Sequence, residues 1–210
     1  MGTDPSSRVQ HAAEAHWLIL DDRLFSELDL LPSPSPVLAV VDIPQPEWPG
    51  FLQDEHAQPC TTDLVILDRV QDPGNVGAII RTAAAAGIRT LITTAGTAAC
   101  WAPKVLRAGM GGHFVLDLYE NVPPGALQTL ATHLPLAGTV LDGGQSLYTT
   151  DLRAPLAWIF GNEGEGITPA LQTMLGVRLT IPQVPDVESL NVAASAAVCL
   201  FEQRRQRLVG

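Results

Sequence analysis

Residues 63–87 read DLVILDRVQDPGNVGAIIRTAAAAG, and this stretch decides the fold. Its first eight residues, DLVILDRV, are a short apolar run of the kind that forms a fully buried strand. QDPGN places Pro and Gly as a turn needs them. Residues 76–86, VGAIIRTAAAA, predict a helix, and Gly87 stops it. The same rhythm then repeats outward. IRTLITTA (88–95) reads as a strand, APKVLRAGM (102–110) as a short helix and HFVLDLY (113–119) as a strand. PGALQTLATHL (124–134) is a helix with Pro at its start. LAGTVLDG (136–143) and LAWIFG (156–161) are further strands. TPALQTML (168–175) predicts a helix capped by Thr168, with Pro169 in its first position, and VRLTI (177–181) a strand. The C-terminal stretch 189–207 predicts a long helix, with Ser189 as N-cap and Arg204, Arg205 and Arg207 near its negative end. Strands alternating with helices predict an α/β fold, a parallel sheet covered by helices on both faces.

Upstream the texture differs. Residues 1–60 carry ten acids and two bases, whereas the whole chain has a net charge of −10. The acidity is therefore concentrated there, and the remainder is close to balanced. LPSPSP and IPQPEWPG punctuate this region with proline, which fixes φ and removes a backbone donor. We read a helix over roughly 9–20, a strand at VLAVVDI (37–43) and a linker beyond it. Two regions follow: 1–60, and an α/β domain over 61–210.

Composition excludes several classes. Hydrophobic residues make up 46% of the chain, enough for a substantial core, yet no apolar run approaches the roughly 20 residues of a membrane span. No basic start followed by an apolar run marks a signal peptide. Cys60, Cys100 and Cys199 are an odd number and widely spaced, which suits reduced thiols in the cytoplasm. The five histidines form no ligand spacing, so no metal is expected. The acidic balance weighs against a generic nucleic-acid binder. Even so, eleven of the twelve bases are Arg, the better phosphate ligand.

Ligands of open α/β sheets bind at the C-terminal ends of strands. Three such ends stand out: QDPGNVGAIIRTA (71–83), GNEGEGI (161–167) and IPQVPDVESLN (181–191). Each has an ordinary explanation when taken alone: a helix start with a surface Arg, a flexible turn, and a loop leading into a capped helix. No phosphate-binding loop, dinucleotide fingerprint or nucleophile elbow is present. GNEGEGI is glycine-rich like a phosphate loop, but it holds Glu163 and Glu165 and no Lys, so it repels phosphate.

The three stretches together, in this order, resemble the motifs of the SpoU/TrmH family of RNA ribose 2′-O-methyltransferases, in the SPOUT superfamily. The resemblance covers about residues 63–207. It implies a C-terminal trefoil knot, S-adenosylmethionine as methyl donor, an RNA substrate (rRNA ahead of tRNA), and a homodimer. It assigns a catalytic constellation of Asn75, Arg81, Glu163, Ser189 and Asn191. It assigns cofactor contacts to Leu141, Asp142, Gly143, Gly161, Asn162, Glu163, Gly164, Ile181, Ser189 and Leu190. Glu165 is read as a solvated charge. WLILDDRLFSELDLLPSPSPVLAVVDIP (17–44) resembles only the closing part of the family's N-terminal substrate-binding domain, so 1–60 is read as a partial substrate-binding region and its linker. Two positions depart from the third motif: Gln183 stands for a Met, and Pro185 for a Gly. A sulfonium and an ammonium in the ligand would make an acidic glycine loop electrostatically sensible. The rival from another class is a non-catalytic RNA-binding protein on the same knotted fold. A nucleotide- or phosphate-binding α/β protein lacks its phosphate loop.

Overall fold

A computed structural model of the chain describes residues 18–28, 37–58, 60–184 and 189–209. It divides into two compact units, 1–40 and 41–210. In the smaller unit α1 (Asp22–Glu27) is a short helix capped by Asp21, whose side chain accepts from Leu24 N. The expected helix over 9–20 lies mostly outside the described residues; Leu18–Leu20 are not helical. The expected strand over 37–43 does not form. The prolines that follow it deny the backbone donors a ladder needs.

The larger unit begins earlier than the sequence suggested. Residues 41–60 are not merely a linker: Leu52 and Cys60 are buried in one of the two cores. The backbone carbonyl of Asp54 lies 2.9 Å from His133 Nε2.

Seven strands follow: β1 (Leu64–Asp68), β2 (Thr90–Thr93), β3 (Asp117–Tyr119), β4 (Leu136–Thr139), β5 (Gln145–Ser146), β6 (Ala157–Gly161) and β7 (Val177–Thr180). They form one sheet in the order β3-β2-β1-β6-β4-β7-β5, and every pairing is parallel. The helices are α2 (Pro73–Ala86), α3 (Pro103–Gly109), α4 (Pro124–His133), α5 (Pro169–Gln172) and α6 (Val192–Val209).

All of β1 is buried, and its side chains alternate between two cores. Val65 and Leu67 face the α2 and α6 side, with Ile79, Ile80, Trp158 and Leu200. Leu64 and Ile66 face the α4 and α5 side, with Leu127, Leu130, Ile159 and Leu171. Two buried faces explain why the strands read as continuous apolar runs rather than alternating ones. Cys60, Cys100 and Cys199 are free and buried. Burial pushes the Cys199 thiol up to about 12. Burial, reinforced by the neighbouring Glu120, raises that of Cys100 as well. Neither can act as a thiolate nucleophile near neutral pH.

Polar contacts fix the last helix. Buried Trp158 donates from Nε1 to Gln203 Oε1 at 2.7 Å. Gln203 Nε2 in turn donates to Asp63 Oδ1 and Ala154 O, and Arg207 pairs with Asp63. The starts of β1 and β6 are thereby tied to α6.

Local details differ from the sequence reading in three places. Helix α2 starts at Pro73, because Asp72 caps it by accepting from Asn75 N at 2.8 Å. Asn75 is thus in the first helical turn. Thr168 makes no side-chain cap bond; its N–H donates to buried Asp68 at 2.7 Å. The cap of α6 is Asn191, not Ser189: Asn191 Oδ1 accepts from Ala193 N and Ala194 N at 2.9 and 3.2 Å. An Asx side chain two residues closer to the helix satisfies the same orphan donors.

Helices α2 and α3 meet where Gly77 has no side chain. A Cβ there would lie 2.5 Å from Ala108 Cβ and 2.6 Å from Val105 O. Gly77→Ala is expected to cost about 2 kcal/mol by overpacking. Gly125→Ala, with nothing within 4 Å of the new methyl, should instead stabilise by about 0.5 kcal/mol. Urea unfolding of the two variants checks both signs.

Candidate active site

The three motif stretches converge at the C-terminal ends of β1, β6 and β7. The chain leaves β6 at Gly161 and makes a tight loop, closed by paired backbone bonds between Asn162 and Gly166 at 2.9 and 2.8 Å. Gly166 has φ 70°, in the left-handed region that glycine tolerates. Asn162 holds the loop from within. Its Oδ1 accepts from Gly164 N and Glu165 N, and its Nδ2 donates to Arg69 O. The end of β1 is therefore locked to the loop after β6. Arg69 reinforces this contact by pairing with Glu165 at 2.8 Å. Glu165 is thus not a free solvated charge, although the exposure of both partners keeps the pair weak.

Glu163 points to the start of α2. Its carboxylate accepts from Gln71 N and Asp72 N, both at 3.2 Å, and from Asn75 Nδ2 at 3.0 Å. Asn75 Oδ1 accepts from Asn191 Nδ2 at 3.0 Å. One hydrogen-bonded chain, Glu163–Asn75–Asn191, therefore joins all three motifs. Partial burial opposes ionisation of Glu163. The bonds from Asn75 and the backbone N–H groups outweigh it and hold the carboxyl below its usual range. The positive end of α2 favours the anion further.

Beside this chain lies a cavity of about 510 Å³. Thr139, Val140, Leu141 and Asp142 form one wall and residues 160–167 another. Ile181, Gln183 and residues 189–192 form a third. Nine of the ten expected cofactor residues line it; Gly143 does not. Of the expected catalytic residues, Glu163, Ser189 and Asn191 are at the cavity, and Asn75 is bonded to two of them. Arg81 stands apart, exposed on α2, six residues or about 9 Å of helix beyond Asn75. Pro185 lies outside the described residues.

Asp68 was missed from sequence. It is buried at the end of β1, where Oδ2 accepts from Thr168 N and Oδ1 from Thr94 Oγ1. Its signal was an acid closing an otherwise apolar strand. Arg178, Gln172 and Ser195 also line the cavity and carried no such signal.

Residues 63–201 match the SpoU rRNA Methylase family. The chain belongs to this family. An uncharacterised tRNA/rRNA methyltransferase from Synechocystis is 39% identical over 145 residues, covering 68% of this chain and 53% of that protein. A Bacillus subtilis 23S rRNA (guanosine(2553)-2′-O)-methyltransferase is 32% identical over 187 residues, covering 89% and 71%. Among solved structures, the SpoU methyltransferase AviRb from Streptomyces viridochromogenes, crystallised with AdoMet, superposes with a TM-score of 0.66 at 31% identity. That match covers 74% of this SpoU chain and 64% of AviRb. The chain thus spans about half of the Synechocystis relative and under two thirds of AviRb.

Because the Glu163 carboxyl is held below its ordinary value of 4.5, its bonds contribute stability above that pH. The contribution is lost as pH falls through the lower folded value. Unfolding wild type and Glu163→Gln in urea from pH 7 downward should show a constant gap that closes only under acid. Asn75→Ala should cost about 1 kcal/mol at pH 7 by the same measurement.

Proposed function

We propose that this chain is the catalytic domain of an S-adenosylmethionine-dependent RNA methyltransferase acting on a ribose 2′-hydroxyl, with rRNA ahead of tRNA as its substrate. The observation that carries this reading is the Glu163–Asn75–Asn191 chain on the rim of the cavity. The cavity fits the cofactor in size and chemistry. Its volume is that of a small-molecule site. Val140, Leu141, Ile181 and Leu190 offer apolar wall for an adenine, and Asp142, Glu163 and Glu165 place carboxylates near cationic groups. When bound, the cofactor supplies a methyl group on a sulfonium. Gly161, Leu141, Ile181 and Leu190 would hold it.

The chain's own residues position the other reactant. Glu163 is a positioning residue and a poor base, since three donors occupy its carboxylate and its pKa is depressed. It orients the Asn75 amide, and Asn191 fixes that amide from the other side. Arg81, which has no ion-pair partner among the described residues, presents its guanidinium to the phosphate next to the target ribose, which aligns the hydroxyl. A guanidinium has five donors and no acceptor, so it orients the substrate rather than taking the proton.

Three further parts of the reading rest on the family and on topology. First, β6 enters between β1 and β4, and β7 between β4 and β5, while α6 returns to α2. Gly161 has no room for a Cβ, which would lie 2.2 Å from the backbone of Gly166 and Ile167. These features support a C-terminal trefoil knot. Second, we read the working form as a cytoplasmic homodimer. Among the described residues no helix is long and apolar enough to cross a membrane. Third, residues 1–40, the smaller unit, would belong to a substrate-binding region.

Titration calorimetry with S-adenosylmethionine is expected to show binding, unchanged within about twofold in Arg81→Ala. Mapping of 2′-O-methyl sites on total RNA should show turnover in that variant down by about 100-fold or more. Near-native turnover of Arg81→Ala would remove Arg81 from the site. No heat at millimolar cofactor would favour a non-catalytic RNA-binding protein on the same fold.

A further inference from the structure

We propose that α3 and the turn after it, residues 103–115, form with the Arg81 face of α2 a docking surface for single-stranded RNA, and that Phe114 is its base-stacking platform. The proposal rests on the reading of the chain as an RNA-directed protein. It names a surface outside the cavity and a residue that the three motifs do not contain.

Charge comes first. The run from Pro73 to Leu116 contains no Asp or Glu, in a chain of net charge −10, and it holds Arg81, Arg89, Lys104 and Arg107. All four are exposed. Among the described residues none of them forms an ion pair, whereas Arg23, Arg69, Arg153, Arg205 and Arg207 each pair with a carboxylate. Among the described residues Arg178 and Arg204 also lack a carboxylate partner, but each donates to a backbone carbonyl, Gln172 O and Ala86 O, whereas this acid-free segment groups four such cations.

Apolar exposure falls in the same place. Phe114 is 92% exposed and Met110 68%, with Leu106 and Val115 partly exposed beside them in sequence. Folding gains nothing from an aromatic ring held in water, yet the backbone around it is fixed. The 3₁₀ turn 112–114 packs directly on α2: a Cβ on Gly112 would lie 3.2 Å from Arg81 Cα and 3.1 Å from Ile80 O. His113, next to Phe114, is buried, with Nε2 2.8 Å from Cys100 O and its ring 5.2 Å from that of Trp101. A rigid turn presenting a free aromatic ring loses little entropy when a base stacks on it. Met110 adds a second oddity. Its φ is 45°, a region that favours glycine, and glycines flank it on both sides. An exposed Met in a strained position is retained at a cost to stability.

The occupant follows from the combination. Unpaired bases stack on aromatic rings while Arg and Lys track the phosphates. A second copy of the chain meeting this face with the same face would set like charges against each other. A polyanion with stackable bases suits it better.

The test uses the full chain and a fluorescein-labelled, mixed-sequence oligoribonucleotide of about 15 nucleotides, read by anisotropy. Phe114→Ala is expected to weaken binding about tenfold, and Phe114→Trp to keep it. Arg107→Ala should reduce the slope of log affinity against log salt by about one. Met110→Gly should melt no lower than wild type yet bind RNA more weakly, which a purely structural role would not produce. Phe114→Ala binding RNA as well as wild type would overturn the proposal, as would a wild type that does not bind the oligonucleotide. So would a loss of affinity that tracks dissociation of a dimer in sedimentation, because the face would then be a contact between copies. Calorimetry with S-adenosylmethionine on the same samples separates the two readings. If wild type binds RNA through Phe114 but no cofactor, the enzyme reading falls and this surface is supported.

Discussion

The Glu163 carboxylate is the contact on which the arrangement at the sheet's end depends. It reaches from the loop after β6 to the N-terminus of α2, where two backbone N–H groups have no helical partner. Its third bond turns the Asn75 amide so that its oxygen faces Asn191, the cap of α6. Three segments separated by about 90 and 30 residues of chain are thus aligned by one ionised group. A neutral side chain cannot replace it cleanly, since an amide would turn a donor toward one of the two N–H groups. The same bonds that make Glu163 a good anchor make it a weak base, and this favours a positioning role over proton transfer.

The anchor works only because the loop that carries it is short and rigid. Gly161 allows the backbone of Gly166 and Ile167 to lie against the end of β6. Asn162 then fills the loop's own hydrogen-bonding needs and ties it to Arg69 O. The loop is therefore held from three sides before any ligand arrives: by Asn162 within, by Arg69 and Glu165 at its edge, and by Glu163 across to α2. A preformed wall of this kind lowers the ordering cost of binding a small molecule in the adjacent cavity.

The sheet was legible in the sequence because both of its faces are buried. Strands such as LVILD and AWIFG therefore appear as unbroken apolar runs between turn residues. The helix starts were less legible. Asp72 and Asn191 act as caps, while the more conspicuous Thr168 and Ser189 do not, because capping depends on where the preceding loop aims the chain rather than on residue type alone. The strand expected at 37–43 failed for a different reason. Apolar content suggests burial, but a strand needs a partner with free donors and acceptors. Strand order, with β6 and β7 inserted among earlier strands, has no signature in periodicity at all. The grouping of Asn75, Glu163 and Asn191 was reached only through the likeness of three motifs, and nothing in their spacing requires that they touch.

Charge distribution then separates the two faces of the proposed chemistry. The cavity side carries Asp142, Glu163 and Glu165 against one cation in its lining, Arg178, a balance that suits a cationic small molecule better than phosphate. The α2 and α3 side carries Arg81, Arg89, Lys104 and Arg107 with no acid between Asp72 and Asp117. A strongly acidic protein that handles a polyanion must confine attraction to a limited area, since at physiological salt charges farther apart than about 8 Å are largely screened. The net charge of the chain is therefore a poor guide to its partner. What decides is that Arg81 lies on the helix whose first turn holds Asn75, with Lys104 and Arg107 on α3 packed against it, so that a strand of RNA held there would run toward the cavity's rim.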